Sequence, residues 1–132
     1  MLFRSEKPDW NPVREAPPVF RHLDKHQQAE LVAKEPAYGR IVCRCETVTE
    51  GEIRAAIHSP IPATNYDAIK RRTWLGTGRC QGGFDMPRVV HILAEELGIA
   101  PEEVTKKGDG SPLLYRRTKD VQQDHIVVED LI

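Results

Sequence analysis

The chain has 132 residues, with 19 Lys and Arg against 20 Asp and Glu, which gives a formal net charge of −1. This length predicts one small soluble domain with extra segments at its ends, and it excludes a dinucleotide-binding domain together with a separate substrate domain. The near-neutral charge argues against a polyanion such as DNA as the main ligand, and no apolar run reaches the roughly 18 residues of a membrane span.

The first 35 residues are predicted to form a connector that contains one short helix. Regular structure before residue 21 is disfavoured by four residues that lack a backbone N–H: Pro8, Pro12, Pro17 and Pro18. Asp24 followed three residues later by Gln27 is typical of a capping box, and an apolar pair follows at positions 31 and 32. The pattern predicts a helix over residues 25–34.

Residues 36–114 are predicted to form the body of the domain, and its first two helices begin at capping signals. Thr49 with Glu52 predicts one helix, which should stop at the serine and proline of positions 59 and 60. Thr64 with Asp67 predicts the start of the next, which should run through residue 74 and end before Gly76.

A third body helix is predicted to follow Pro87 and to end at Gly98. Its apolar side chains recur at helical spacing: Val89, Ile92, Leu93 and Leu97. A short helical turn is expected over residues 101–105, and residues 115–132 form a polar tail in which 126–128 offer a short strand. The predicted fold class is mainly α: a small bundle of three to four short helices, with cysteine-bearing loops and an extended head and tail.

The three cysteines are predicted to lie in loops at the edges of helices. Cys43 and Cys45 precede the first body helix, and Cys80 lies in a glycine-rich stretch between the second and third. Free N–H groups near helix N-termini stabilise a thiolate, which suits metal binding better than core packing. Arg44 and Arg79 flank these cysteines and would offset negative charge, whereas the cationic run at 70–72 is equally consistent with a solvated helix face.

Three thiolates do not complete a four-coordinate zinc site or a two-iron cluster, because each needs about four protein ligands. The leading candidate for the fourth is Asp85, which follows Cys80 on the same loop and immediately precedes the third body helix. An aspartate two residues before Pro87 is equally typical of a helix N-cap. His58 and His91 are weaker candidates, since histidines at such positions are usually surface residues.

Residues 41–49 and 77–84, together with 87–89, resemble the bacterioferritin-associated-ferredoxin-like [2Fe-2S] domain. More narrowly, residues 37–114 resemble the C-terminal domain of the FAD-dependent glycerol-3-phosphate dehydrogenases of the anaerobic type. The resemblance implies a small helical fold that holds the cluster through four cysteines. Cys43, Cys45 and Cys80 match the first three, and Asp85 stands at the fourth position.

The resemblance implies an electron-transfer module that takes electrons from a flavin and passes them on. The FAD and the catalytic machinery would belong to a partner dehydrogenase domain that this chain lacks, and an acceptor protein or a quinone-linked subunit would receive the electrons. Because carboxylate is a harder ligand than thiolate, a cluster bound by Asp85 should be more labile and have a lower reduction potential than an all-cysteine cluster. With no signal-peptide stretch over residues 1–10, we expect a cytoplasmic location, peripheral to the membrane only through partners.

Two alternatives remain open at this stage. One is a structural or interaction domain without a cluster, in which Asp85 caps a helix and the cysteines stay as thiols. The other is a structural zinc site formed by Cys43, Cys45 and Cys80 with Asp85 or a histidine.

Overall fold

The computed structural model describes residues 8–9, 11, 13 and 15–115. Within these residues the helices are α1 (Lys25–Lys34), α2 (Glu50–Ile57), α3 (Tyr66–Thr73) and α4 (Met86–Leu97). Single 3-10 turns cover Phe20–His22, Pro36–Gly39 and Pro101–Glu103, and a two-stranded sheet is formed by β1 (Ile41–Cys43) and β2 (Val48–Thr49). The predicted mainly α class is confirmed for this part of the chain, and no helix in it is long and apolar enough to cross a membrane.

Two of the predicted capping boxes are present, and each begins a helix at the predicted residue. The Gln27 N–H donates to the Asp24 side chain at 2.9 Å, and the Asp24 N–H donates to the Gln27 side chain at 3.0 Å. Thr49 and Glu52 exchange the same pair of bonds at the start of α2. Both boxes satisfy backbone N–H groups that a first helical turn leaves without partners.

Helix α3 starts one residue later than predicted. Its N-cap is Asn65 rather than Thr64, and the Asn65 side chain accepts a hydrogen bond from the Ala68 N–H at 2.9 Å. The N–H groups of residues 66 and 67 donate to the carbonyls of residues 105 and 106, so contacts with a distant segment select the start of this helix. The helix ends at Thr73 rather than running through residue 74, because Trp74 is its C-cap and has left-handed backbone. Helix α4 ends as predicted, with Gly98 in the left-handed conformation.

The small sheet corrects the predicted position of one cysteine. Strands β1 and β2 are antiparallel, and they pair Ile41 with Thr49 and Cys43 with Val48. Cys43 is therefore the last residue of a strand, whereas Cys45 and Cys80 lie in turns. The β-branched residue before Cys43 favours extended backbone, but strands of three and two residues are too short to show a clear alternation.

The core lies between the sheet and helices α2, α3 and α4. Its fully buried apolar side chains come from all of these elements and from the segments after α3 and α4: Val48, Ile53, Ile69, Leu75, Val89, Ile92, Leu93 and Val104. Cys43 packs in the same cluster with 1% of its surface exposed. Packing of this core therefore fixes where the Cys43 side chain points.

A buried carboxylate joins three separate parts of the fold. Glu50, the first residue of α2, is 1% exposed and accepts hydrogen bonds from Arg40, Arg54 and Arg88 at 2.8 to 3.0 Å. The Arg40 hydrogen bonds, with those of Arg88 and Arg54, hold the pKa of Glu50 far below its ordinary value although burial opposes the shift. This cluster ties the chain before β1 to α2 and α4. Arg88 lies only three residues after Asp85 in the sequence, but its guanidinium group binds Glu50.

The connector packs on the body from Phe20 onward. Phe20 is buried, and its N–H donates to Glu52 at 3.3 Å. Arg21 forms an ion pair of 2.7 Å with Glu46, in the turn between β1 and β2. These contacts attach the segment before α1 to α2 and to the turn that carries Cys45. The strand predicted at 126–128 lies outside the described residues.

Candidate metal centre

Two turns bring Cys45 and Cys80 together. The first joins β1 to β2 and carries Cys45, and the second joins α3 to α4 and carries Cys80. They touch at Gly78, where a Cβ atom would lie 2.6 Å from the Cβ of Cys45. The Cys45 thiol is exposed and lies next to that of Cys80, which is partly buried. Only a glycine at position 78 allows this approach of the two turns.

Backbone N–H groups surround the Cys80 sulfur. The second turn has left-handed backbone at several positions, including Gly76 and Gly82, and this turns successive N–H groups inward. The N–H of Gly82, together with the Cys45 thiol and the N–H of Phe84, lowers the pKa of the Cys80 thiol. Cys80 therefore lies in a setting that favours its thiolate form.

Cys43 has a different setting because it belongs to the core. Burial raises the pKa of its thiol, and the neighbouring Asp85 carboxylate raises it further. Hydrogen bonds from the N–H groups of Gly76 and Glu46 act in the opposite direction without reversing the shift. Cys43 and Asp85 are thus direct neighbours, although 42 positions separate them in the sequence, and a cation between them would favour the thiolate.

The Asp85 side chain does not act as the helix cap that was one prediction for it. Asp85 occupies the N-cap position of α4, but its carboxylate accepts no hydrogen bond from the first turn. It is 1% exposed, its Oδ1 accepts a hydrogen bond from the Tyr66 hydroxyl at 3.0 Å, and its Oδ2 has no hydrogen-bond partner among the residues described. Buried polar atoms without a partner are rare and costly. Besides Tyr66, the neighbouring donor for Asp85 is the Cys43 thiol, and it gives up its proton when it becomes a thiolate ligand.

Tyr66 is the residue at this site that sequence reasoning missed. It is the first residue of α3 and is 3% exposed, and its hydroxyl oxygen lies against Gly76 and Gly82, where a Cβ at Gly76 would be only 2.5 Å from it. Burial, the hydrogen bond to Asp85 and the nearby cysteines raise the pKa of Tyr66 well above its ordinary value. The phenol therefore stays protonated and donates to Asp85. No local signal in the sequence links these two residues.

The arginines that were predicted to lie near the site do so, whereas the two candidate histidines do not. Arg44 and Arg79 are exposed, adjoin the cysteines and form no ion pair with any residue that the structure describes. The two histidines are placed elsewhere. His58 pairs with Glu96, His91 is exposed on α4, and neither contributes to the hydrogen bonds around the cysteines and Asp85.

The donor set suits iron, although it is not arranged around one point. Among the described residues, no group of three or more His, Cys, Asp and Glu side chains is already placed to hold a single metal ion. A [2Fe-2S] cluster has two irons and distributes its protein ligands between them, so convergence on one point is not required. Three neighbouring cysteines, inward N–H groups and an unpartnered buried carboxylate oxygen fit such a cluster in chemistry and charge.

The class of domain is settled by comparison with known families. Residues 41–95 match the family model of the BFD-like [2Fe-2S] binding domain, and this part of the chain belongs to that family. The matched span begins at β1 and ends in α4, so it contains all three cysteines and Asp85.

Similar proteins are dehydrogenases and oxidase components that are much longer than this chain. The glycerol 3-phosphate dehydrogenase of Caloramator mitchellensis is 49% identical over 114 residues, which cover 86% of this chain and 24% of that protein. An opine oxidase subunit of Rhizobium meliloti is 35% identical over 83 residues (63% of this chain, 15% of that protein). An anaerobic glycerol-3-phosphate dehydrogenase subunit of Escherichia coli (strain K12) is 31% identical over 75 residues (57% and 13%). No solved structure matches the chain.

Proposed function

We propose that this chain binds a [2Fe-2S] cluster through Cys43, Cys45, Cys80 and Asp85 and acts as an electron-transfer module of a larger oxidoreductase. The observation that carries the proposal is the Asp85 carboxylate, which is buried beside the cysteines with one oxygen left without a partner. A carboxylate in this condition is costly in the protein alone, whereas a bound cation would satisfy it. Its place within a BFD-like segment makes iron the cation of choice.

The charges around the site support the same proposal. An oxidised cluster of two ferric ions, two sulfides and four anionic ligands has a net charge of about −2. Arg44 and Arg79 are exposed beside the cysteines and available to offset this charge. The N–H groups directed at the sulfurs of Cys43 and Cys80 would do the same at short range. When bound, the cluster would supply one-electron redox chemistry, and these residues would hold it and set its charge balance.

The rest of the proposed enzyme would lie outside this chain. The relatives are several times longer than the matched segment, which is consistent with residues 36–114 serving as one domain of a FAD-dependent dehydrogenase. Alcohol oxidation would occur in the flavin domain, and an acceptor protein or a quinone-linked subunit would take the electrons. Glycerol 3-phosphate is the substrate we propose for the parent enzyme, because the relative with 49% identity is named for it.

Anaerobic purification followed by metal and sulfide analysis tests this proposal. We expect visible absorbance and about two irons with two sulfides per chain. One zinc without sulfide would contradict the cluster and support the structural zinc site. A colourless protein that takes up neither metal after anaerobic reconstitution would instead support the remaining alternative, an interaction domain that has no cluster.

The contact between the two turns gives a sharper test of where the iron is held. In Gly78→Ala the new methyl group would meet Cys45 and the Glu46 carboxylate at 2.6 and 2.8 Å, so the turns must separate. We expect iron to be released to a chelator about tenfold faster or more, as is typical when the support of a metal ligand is disturbed. Gly39→Ala is the matched control, since its methyl would meet only the side chain of Val32, a residue of α1, at 3.0 Å. Equal release rates for the two variants would place the iron elsewhere.

A further inference from the structure

Asp85 presents its two carboxylate oxygens to different surroundings. Oδ1 accepts the hydrogen bond from the Tyr66 hydroxyl at 3.0 Å, and Oδ2 is buried without a partner among the described residues. A carboxylate can bind a metal ion through one oxygen or both, and a hydrogen bond to one oxygen favours binding through the other. The phenol therefore distinguishes the two oxygens before any metal arrives.

The position of the Tyr66 hydroxyl is determined from several sides. The backbone N–H of Tyr66 donates to the carbonyl of Thr105 at 3.1 Å, which fixes the start of α3, and the Tyr66 ring is buried in the core. The hydroxyl oxygen fits between Gly76 and Gly82, where a side chain on either glycine would collide with it. Both glycines have left-handed backbone, at φ +69° and +87°. The same turn that directs N–H groups to Cys80 thus also forms the seat of the phenol.

We infer that Tyr66 is a positioning residue: its hydroxyl holds Asp85 by Oδ1 so that Oδ2 alone faces the iron, which makes Asp85 a one-oxygen ligand. This inference rests on the proposed function. A hydrogen bond to the oxygen that does not bind withdraws negative charge from the carboxylate, and this stabilises the reduced, more negative cluster. Tyr66 should therefore raise the reduction potential. Because its hydrogen bond also holds the carboxylate in place, it should slow the loss of iron.

Tyr66→Phe tests the inference, because it removes one oxygen atom and keeps the ring. We expect iron to be released to a chelator about 10- to 100-fold faster and the reduction potential to fall. Tyr38→Phe is the matched control, since Tyr38 is also 3% exposed but lies against α2 at Gly51 rather than at the cysteines. It should leave both quantities unchanged. Thermal unfolding of all proteins checks that the changes do not follow a general loss of stability.

Repeating the Tyr66→Phe change in an Asp85→Cys protein shows whether Tyr66 affects iron retention through Asp85 or through the stability of the fold. In Asp85→Cys the carboxylate is absent, so adding Tyr66→Phe should cost much less iron retention than it does in the natural sequence. Equal losses in both backgrounds would overturn the inference, as would a Tyr66→Phe protein with unchanged potential and iron release. If the natural chain binds no iron, the proposed function fails together with the inference. If the natural chain binds iron but Tyr66→Phe has no effect, only the inference fails, so the two failures are distinguishable.

A chemical substitution avoids any dependence on a folded Tyr66→Phe protein. The chain has three tyrosines, and growth with 3-fluorotyrosine replaces all of them by more acidic phenols. A stronger donor at position 66 should raise the reduction potential of the cluster. An unchanged potential in the fluorinated protein would contradict the role assigned to the phenol.

Discussion

Replacing Glu50 by glutamine is expected to lower the free energy of unfolding by about 3 kcal/mol, near the lower end of the cost of breaking a buried ion pair. The glutamine keeps the size of the side chain but removes the charge that three guanidinium groups share. The cost stays near that lower end because Arg40 and Arg88 are about half exposed, at 54% and 52%, and keep part of their hydration. Urea unfolding of anaerobically prepared proteins with equal iron content measures the difference.

Glu95→Gln provides the matched control for this effect. Glu95 binds the same Arg54 at 2.9 Å, but its side chain is 64% exposed, so its loss should cost less than about 1 kcal/mol. Because the folded pKa of Glu50 lies below its ordinary value of 4.5, its contribution is complete above that pH and is lost as the pH falls through the folded pKa. The stability gap between the natural chain and Glu50→Gln should therefore narrow in acid. A constant gap would contradict the role given to this charge.

The parts of the fold that could be predicted from the sequence are those specified by neighbouring residues. The capping boxes of α1 and α2 each depend on two residues three positions apart, and both are present. The start of α3 was misplaced because Thr64 and Asn65 are both good N-caps, and hydrogen bonds to residues 105 and 106 decide between them. The Glu50 cluster was missed for the same reason, since Arg88 is 38 positions away.

The candidate site also has features that neighbouring residues specify and features that only distant residues decide. The sequence singled out the three cysteines and Asp85, and the structure places Cys43 beside Asp85 and Cys45 beside Cys80. Whether Asp85 caps α4 could not be decided locally, because the residues around it suit a cap as well as a ligand. The decision comes from Tyr66, which lies 19 positions earlier, on another helix, and holds the carboxylate away from the first turn of α4. Only the folded chain brings a donor on α3 to the start of α4.

The largest effect on the site itself is expected from Asp85→Asn. The amide matches the carboxylate in shape but lacks the negative charge, so we expect iron to be released at least about 100-fold faster than from the natural chain. The iron-free variant should nevertheless be as stable as the iron-free natural chain or more stable, by about 1 to 3 kcal/mol, because a buried charge with an unpartnered oxygen is removed. Parallel measurements of iron release and of urea unfolding in the iron-free state check both expectations.

The opposite signs of these two effects are what mark Asp85 as a ligand rather than a structural residue. Asp67→Asn is the control: Asp67 pairs with Lys106 at 2.8 Å away from the cysteines, so its loss should cost less than about 1 kcal/mol and leave iron binding unchanged. Asp85→Cys supplies the complementary case, since a fourth thiolate should hold the cluster more tightly and deepen its colour. A stabilised Asp85→Asn protein that still retains its iron, or an Asp85→Cys protein with unchanged absorbance, would exclude Asp85 from the ligand set. If instead Asp85→Asn makes the iron-free protein more stable but less able to retain iron, then the buried carboxylate destabilises the iron-free protein and serves to bind the metal.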